Sequence, residues 1–377
     1  MIKPRLFTPG PTDVPPEVLI EMAKPIFHHR TERFRKMLAA VNASLKKLLM
    51  TGNDVLTLAG SGTCGMEAAI ACAVPRDRKV LVANGGKFGE RWGKVARAYG
   101  LDVDEVKLQW GTALEPETVR QKLSSGDYGA VVVVHSETST ATACDLQAIG
   151  EVVAGTDAIL LADCITSAGA LPLRTDEWHV DVVAAGSQKA FMLPPGLAFV
   201  AVSEKAWKNV ESIKAPAFYL DLAAYRKALA GNDMPYTAPV SLIRGLKVSL
   251  EMIHEVGIEK IWTRTACLAR ATRAAAEALG MKVFSQRPSD SVTAILYPQG
   301  VGDEFRKQLR EKYGCSVAGG QDELKGRAFR VSHMGYVDPL DALGLIAAVE
   351  YTLADLGVQV HLGAGVTAAM EVLKDWQ

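Results

Sequence analysis

No apolar run in this 377-residue chain approaches the roughly 18 residues that a membrane-spanning helix requires. The segment from Leu343 is interrupted by Glu350 and Asp355, so no membrane partner is expected. Charge of one sign is not in excess either: Lys plus Arg number 42 and Asp plus Glu 42. A neutral chain lacks the basic surplus needed for holding phosphate backbones, and nucleic acid is not expected as a partner. The six cysteines (Cys64, Cys72, Cys144, Cys164, Cys267, Cys315) form no CxxC pair, and there is no HExxH or clustered His/Cys run. A disulfide framework and a zinc site are thereby disfavoured, no metal is expected, and a reducing, cytoplasmic setting fits best. The amino terminus carries Lys3 and Arg5, then Pro9, Gly10 and Pro11, without the apolar stretch of a signal peptide. No repeat at a period of about 20–50 residues stands out, which argues against a solenoid. GxSxG and GxxxxGK[ST] are missing, which argues against a serine hydrolase and a P-loop nucleotide phosphatase.

What is present is an ordinary globular composition, 49% hydrophobic and 22% charged, in a chain long enough for about two domains. Asp54–Ala59, Lys79–Ala83, Ala130–His135, Ala158–Ala162, Val180–Ala185 and Ala198–Val202 are short, β-branched and nearly continuous in apolar character. Strands covered on both faces read this way. Helix-like stretches separate them (Gly65–Val74, Gly89–Tyr99, Pro116–Lys122, Leu146–Ala154), giving the βαβ rhythm of a three-layer α/β domain with a mostly parallel sheet. Beyond about residue 240 long helices take over, Val240–Val256 and Ile258–Ala278. Strands at Val292–Tyr297 and Ala328–Ser332 follow, with helices at Asp303–Tyr313 and Pro339–Leu356. The expected organisation is an extended arm over residues 1–20, a large domain over 21–256 and a smaller α+β domain over 257–377.

Ligands of such sheets collect at the carboxyl ends of strands, and four polar elements stand at predicted strand ends or within one. Gly60-Ser61-Gly62-Thr63-Cys64-Gly65 matches G-x-G-x-x-G between a strand and a helix, where free N–H groups capture an anion. A dinucleotide site would need an acid ending the next strand, which instead ends Asn84-Gly85-Gly86. Phosphate binding survives, beside the plainer reading of a tight turn. Asp163 stands ready to hold a cationic ring nitrogen or to cap a turn. Lys189, in Ser187-Gln188-Lys189 among small neighbours and ahead of Pro194-Pro195-Gly196, is either a desolvated lysine suited to Schiff-base chemistry or a solvated surface lysine. Arg330, inside the apolar run Ala328–Ser332, has the planar fork that grips a carboxylate, from a ligand or from an internal Asp or Glu. Together the four fit one cofactor, pyridoxal 5'-phosphate, which needs a lysine, a carboxylate at its ring nitrogen, a phosphate cradle and a stacking face.

With these motifs the chain resembles the class V aminotransferases of fold type I, in particular the alanine–glyoxylate and serine–pyruvate group. The resemblance runs from Thr8-Pro9-Gly10-Pro11-Thr12 to Arg330. It is carried by Gly186-Ser187-Gln188-Lys189-Ala190, Gly60-Ser61-Gly62-Thr63 with Glu67-Ala68-Ala69, Asn84-Gly85-Gly86-Lys87-Phe88-Gly89, His135-Ser136-Glu137-Thr138-Ser139-Thr140, and Asp163 with Ser167 and Gly169. It implies that Lys189 bonds the cofactor aldehyde and then serves as general base, and that Asp163 pairs with the ring nitrogen. Ser61, Gly62, Thr63 and Gln188 are implied to hold the phosphate. Phe88 would stack on the ring, where relatives commonly carry Trp, with Ile165 on the opposite face and Thr138 on the hydroxyl side. Arg330 would clamp the substrate α-carboxylate, and Gly10 would lie near the substrate.

Members of this family are dimers in which the second subunit completes the phosphate site, and Thr237 matches the residue usually used. Relatives often carry Tyr three positions earlier, where this chain has Met234, so one cross-subunit hydrogen bond is missing unless Tyr236 replaces it. The implied activity is ping-pong transamination from a small L-amino acid, alanine or serine favoured, to a 2-oxo acid such as glyoxylate or pyruvate. Three rivals stand beside it. One is a lyase or cysteine desulfurase of the same fold, which would need a mobile catalytic cysteine. The second is a nicotinamide-dependent oxidoreductase built on Gly60–Gly65. The third is a non-catalytic binding protein.

Overall fold

The six apolar runs of the first half, and the charged segment Val103–Lys107 that the sequence reading left out, become seven strands of one sheet: β1 (Asp54–Gly60), β2 (Lys79–Asn84), β3 (Val103–Lys107), β4 (Tyr128–Val134), β5 (Ile159–Asp163), β6 (Val182–Gly186) and β7 (Gly196–Val202). The structure is a computed structural model that describes residues 2–374 and 376. The spatial order is β1-β7-β6-β5-β4-β2-β3. β7 runs antiparallel to β1 and β6, and every other neighbouring pair is parallel. Because two reversals cancel, β1 points the same way as β6. The carboxyl ends of β1, β2, β4, β5 and β6 therefore share one edge. β5 and β6 are buried at every residue, as their unbroken apolar sequences require when helices cover both faces.

Helices α1 (Gly62–Ala73) and α2 (Lys87–Ala98) begin directly after β1 and β2, so their amino termini face the same edge. Farther along, α3 (Val240–Val256) and α4 (Ile258–Ala278) meet at Gly257, whose φ of +90° lets the chain change direction there. A second, antiparallel sheet follows, of β8 (Lys282–Val283), β9 (Val292–Leu296), β10 (Ala318–Gly319) and β11 (Ala328–Ser332), in the order β8-β9-β11-β10. α5 (Pro339–Asp355) packs beside it and is opened by an Asp338/Asp341 capping box. Each sheet has its own apolar core, the second built around Phe305, Leu309 and Phe329.

Phe7 of the amino-terminal segment is buried in that second core, after Arg5–Leu6 pair in parallel with Cys315–Ser316. The segment expected to be extended over residues 1–20 is so only as far as Pro15. A helix begins at Pro16 and runs to Ala23, since proline in the first turn sacrifices no hydrogen bond. A longer helix, Glu32–Leu48, follows behind the Thr31 cap. Among the described residues no helix is long and apolar enough to cross a membrane.

Candidate active site

At the shared edge, β6 ends at Gly186 and the chain turns through Ser187-Gln188-Lys189. Ser187 holds the turn: its hydroxyl donates to the Pro194 carbonyl at 2.8 Å and accepts from Leu197 N at 3.1 Å. Lys189 is only 8% exposed. Its Nζ donates to the Pro9 carbonyl, and its own carbonyl accepts from Thr12 Oγ1 at 2.8 Å. The amino-terminal segment is thus laced onto the lysine, with Gly10 (φ +137°) at the point of contact. A Cβ there would stand 2.4 Å from Lys189 Nζ, so only glycine allows the approach. Burial pulls the Lys189 amine down to about 8, against the opposing pull of Asp163.

Asp163 closes β5, flanked in register by Val134 and Ala184, and is 3% exposed. Oδ1 accepts from Ile165 N at 3.0 Å and Oδ2 from Trp92 Nε1 at 3.0 Å. Burial nevertheless pushes its carboxyl up to about 6. Such a carboxylate is poised to accept a buried cationic N–H, because a positive partner would remove the cost of its isolation.

The G-x-G-x-x-G segment wraps the start of α1. Ser61 makes no capping hydrogen bond, so the first-turn N–H groups of this helix lack a side-chain acceptor of their own. A Cβ on Gly62 would lie 2.5 Å from Ile165 Cδ1, and one on Gly186 would lie 3.5 Å from Gly62 Cα, which shows how closely the three segments pack. Gln188 Oε1 is buried with no partner. Arg91 Nη1 donates to Thr63 Oγ1 at 3.2 Å, and its guanidinium lies 4.9 Å from the centre of the Phe88 ring. The result is an anion cradle made of a helix start with a cation at its rim.

From the second sheet, Arg330 on β11 donates Nε and Nη2 to the Gly319 carbonyl at 3.0 and 2.8 Å, and Nη1 to the Thr138 carbonyl at 2.8 Å. Among the described residues no carboxylate forms a direct ion pair with it, although Glu137 attracts it from farther off. Burial pulls its pKa down to about 10. With three of its five N–H groups engaged, one remains on each terminal nitrogen for an acceptor such as a carboxylate. The Thr138 hydroxyl is itself buried, 2.6 Å from Thr166 Oγ1.

Of the residues singled out from sequence, Gly10, Lys189, Gln188, Asp163, Ile165, Ser61, Gly62 and Thr63 stand on the segments that converge at this edge. Arg330 and Thr138 are joined to each other, and Arg330 lies close enough to Lys189 to depress its pKa. Phe88 opens α2 one turn ahead of Trp92. Thr237 is exposed ahead of α3, and among the described residues no contact joins it to the Lys189 group. Tyr236 is engaged elsewhere: its hydroxyl donates to the Phe218 carbonyl at 2.6 Å and its ring stacks on Tyr219. Sequence reasoning missed Trp92 and Arg91. The spacing of Phe88 and Trp92, four apart on an amphipathic helix, was the available signal, because residues so spaced share a face.

The sequence profile of the family described as Aminotransferase class-V matches residues 6–331. The soluble hydrogenase small subunit of Synechococcus is 44% identical, with 98% of each chain covered. The serine–glyoxylate aminotransferase of Methylorubrum extorquens is 36% identical over 98% of this chain and 96% of its own. Among solved structures, pyridoxamine–pyruvate aminotransferase from Mesorhizobium loti superposes with a TM-score of 0.94 at 28% identity, covering 99% of this chain and 98% of that one.

Proposed function

Because the chain belongs to the class V aminotransferases, we propose that it moves the amino group of a small L-amino acid, alanine or serine, to glyoxylate or pyruvate. It is an aminotransferase dependent on pyridoxal phosphate, and the residues present fit that cofactor. A buried amine (Lys189) and a buried carboxylate (Asp163) occupy neighbouring strand ends. The start of α1 lacks a cap, and Gln188 keeps a buried polar atom without a partner. Lys189 would hold the aldehyde, Asp163 the ring nitrogen, and Ser61, Gly62, Thr63 and Gln188 the phosphate. Phe88 and Ile165 would bracket the ring, and Thr138 would lie at its hydroxyl.

When bound, the cofactor supplies an electron sink for the bond broken at the substrate Cα. The protein's own part is acid–base and positional. Lys189 Nζ, its pKa lowered to about 8 by burial, would take the substrate Cα proton and hold it for return to the carbon derived from the cofactor aldehyde. Asp163, ionised above about 6, is available to hold a proton on a ring nitrogen. Arg330 orients the substrate through its α-carboxylate, and Gly10 keeps the amino-terminal segment close enough to exclude water.

In this reading residues 21–256 carry the cofactor, residues 257–377 supply Arg330, and the segment 1–20 lies between them. The enzyme works as a cytoplasmic homodimer, and the exposed Thr237 of each protomer completes the phosphate site of its partner. Alanine and serine are favoured because the chain resembles enzymes that use them, and glyoxylate because the Methylorubrum relative is named for it. A desulfurase role is disfavoured: Cys315 is buried in the strand that pairs with Arg5–Leu6, and burial raises its thiol's pKa.

The observation that carries the proposal is the buried Lys189 amine, with two N–H groups of Arg330 left over for a carboxylate. Its test is a donor–acceptor screen by coupled assay, alongside a visible spectrum of the purified protein. Turnover of alanine or serine with glyoxylate or pyruvate, lost together with the visible band in Lys189→Ala, is the expected result. A colourless protein that stays colourless with added cofactor, or a coloured one inactive on all three pairs that give a net reaction (alanine–glyoxylate, serine–glyoxylate and serine–pyruvate), overturns it.

A further inference from the structure

Helix α2 has no cap of its own. Its N-cap position is Gly86, which has no side chain, yet the first-turn N–H groups need acceptors. Another segment supplies them. Glu137 Oε2 accepts from Phe88 N at 3.1 Å and from Gly89 N at 3.0 Å. The Ser139 hydroxyl accepts from Lys87 N at 3.0 Å and donates to Glu137 Oε1, which also accepts from Ser139 N at 3.1 Å. Glu90 N closes the first helical bond on the Gly86 carbonyl at 2.9 Å. Two glycines make room. A Cβ on Gly86 would sit 2.7 Å from the Glu137 carboxyl carbon, and one on Gly89 would sit 2.5 Å from the Ala83 carbonyl.

Glu137 is 4% exposed, and among the described residues no cation forms a direct ion pair with it, although Arg330 attracts it from farther off. Burial raises its pKa, and the four donors oppose the rise. A buried carboxylate with no direct ion pair is costly, and the positive end of a helix, with Arg330 farther off, offsets it here. The helix so fixed carries Phe88 and Trp92 on one face, and Trp92 Nε1 grips Asp163. The residue after Glu137, Thr138, offers the carbonyl that holds Arg330.

We infer that Glu137 is a positioning residue of the reaction: by capping α2 from outside, it sets the Phe88 ring and the Trp92–Asp163 hydrogen bond without touching substrate or cofactor. This rests on the transaminase reading above. Glu137→Gln keeps the shape but replaces one acceptor oxygen with a donor.

In the cofactor-free variant, hydrogen exchange over residues 84–93 should accelerate at least tenfold, with little change elsewhere. The Glu137 charge also acts directly on Asp163, so the spectral readout uses Ser139→Ala, which keeps the carboxylate. In loaded Ser139→Ala the pH midpoint of the visible band should move in the same direction as in Trp92→Phe. The Ser139→Ala/Trp92→Phe double variant should show no more than the Trp92→Phe shift, because both changes then act through the Trp92–Asp163 bond. Ser139→Ala should also accelerate exchange over residues 84–93, by less than Glu137→Gln, and serves there if Glu137→Gln does not fold. Unchanged exchange at 84–93, an unmoved midpoint despite faster exchange, or shifts that add in the double variant would each overturn the inference. A wild-type protein that takes up no cofactor would instead defeat the transaminase reading and leave the exchange result standing.

Discussion

Trp92 Nε1 and Asp163 Oδ2 lie 3.0 Å apart, both wholly buried, and this hydrogen bond joins the helix after β2 to the end of β5. It is one of two donors that keep a carboxylate ionisable where burial works against its charge. Trp92→Phe keeps the ring's bulk and deletes the donor. A hydrogen bond to a charged group is worth roughly 1.5–3 kcal/mol, so cofactor retention should weaken by about 10- to 100-fold. The acidic limb of the kcat–pH profile should move upward, because Asp163 protonates more readily. Equilibrium dialysis and the pH profile check both.

Asp163 itself should destabilise the cofactor-free protein. Its folded pKa, about 6, lies above the usual 3.8, so the folded state binds the extra proton between those values. Stability therefore falls as pH rises from about 4 to 6, and the cost, about 3 kcal/mol, is fully present above that window. Asp163→Asn should make the cofactor-free protein more stable than wild type at pH 7.5, with the difference vanishing near pH 4. Urea titrations at both pH values measure it. The same variant should hold the cofactor less tightly, so stability and function move in opposite directions.

Gly10 is held by its close approach to Lys189. Gly10→Ala places a methyl 2.4 Å from Lys189 Nζ at a φ of +137°, so either the segment or the amine must move. A displacement near 1 Å is enough to reduce kcat about 100-fold. Gly100→Ala is the control: it also has a positive φ (+76°) but nothing within 4 Å. It should cost some stability and leave turnover unchanged. Equal losses of activity in the two variants would mean that strain, not contact with the lysine, is responsible.

Much of this site was legible because each part is announced locally. Lys189 and Asp163 stand at or just past the ends of buried strands whose apolar runs stop abruptly, and the turn that opens α1 is spelled in glycines. Trp92 was not legible in that way, since its partner is 71 positions away and only the pairing of β2 with β4 and of β4 with β5 brings them together. The helix Glu32–Leu48 carried a readable pattern, with buried Phe34, Leu38, Val41, Leu45 and Leu48 behind a threonine cap, but its flanking charges obscured it. β3 (Val103–Lys107) is half charged because it is an edge strand, and period alone does not distinguish it from a loop. Thr237 is exposed in a single chain, so its place was carried by resemblance alone.

Arg330 separates substrate binding from scaffold. Its side chain spans the Gly319 and Thr138 carbonyls, so Arg330→Ala should do two things at once. It should raise KM for every substrate with an α-carboxylate by about 100-fold. It should also lower stability by about 1–3 kcal/mol, because buried carbonyls lose their donors. Arg330→Lys keeps a positive charge but not the planar fork, so KM should still rise about tenfold while most of the stability returns. A primary amine lacking a carboxylate gains nothing from the guanidinium, so its slow reaction should proceed equally in all three proteins. If KM for alanine and for that amine rise together in Arg330→Ala, the arginine is shaping the site rather than gripping the substrate. The fork then serves the two carbonyls alone.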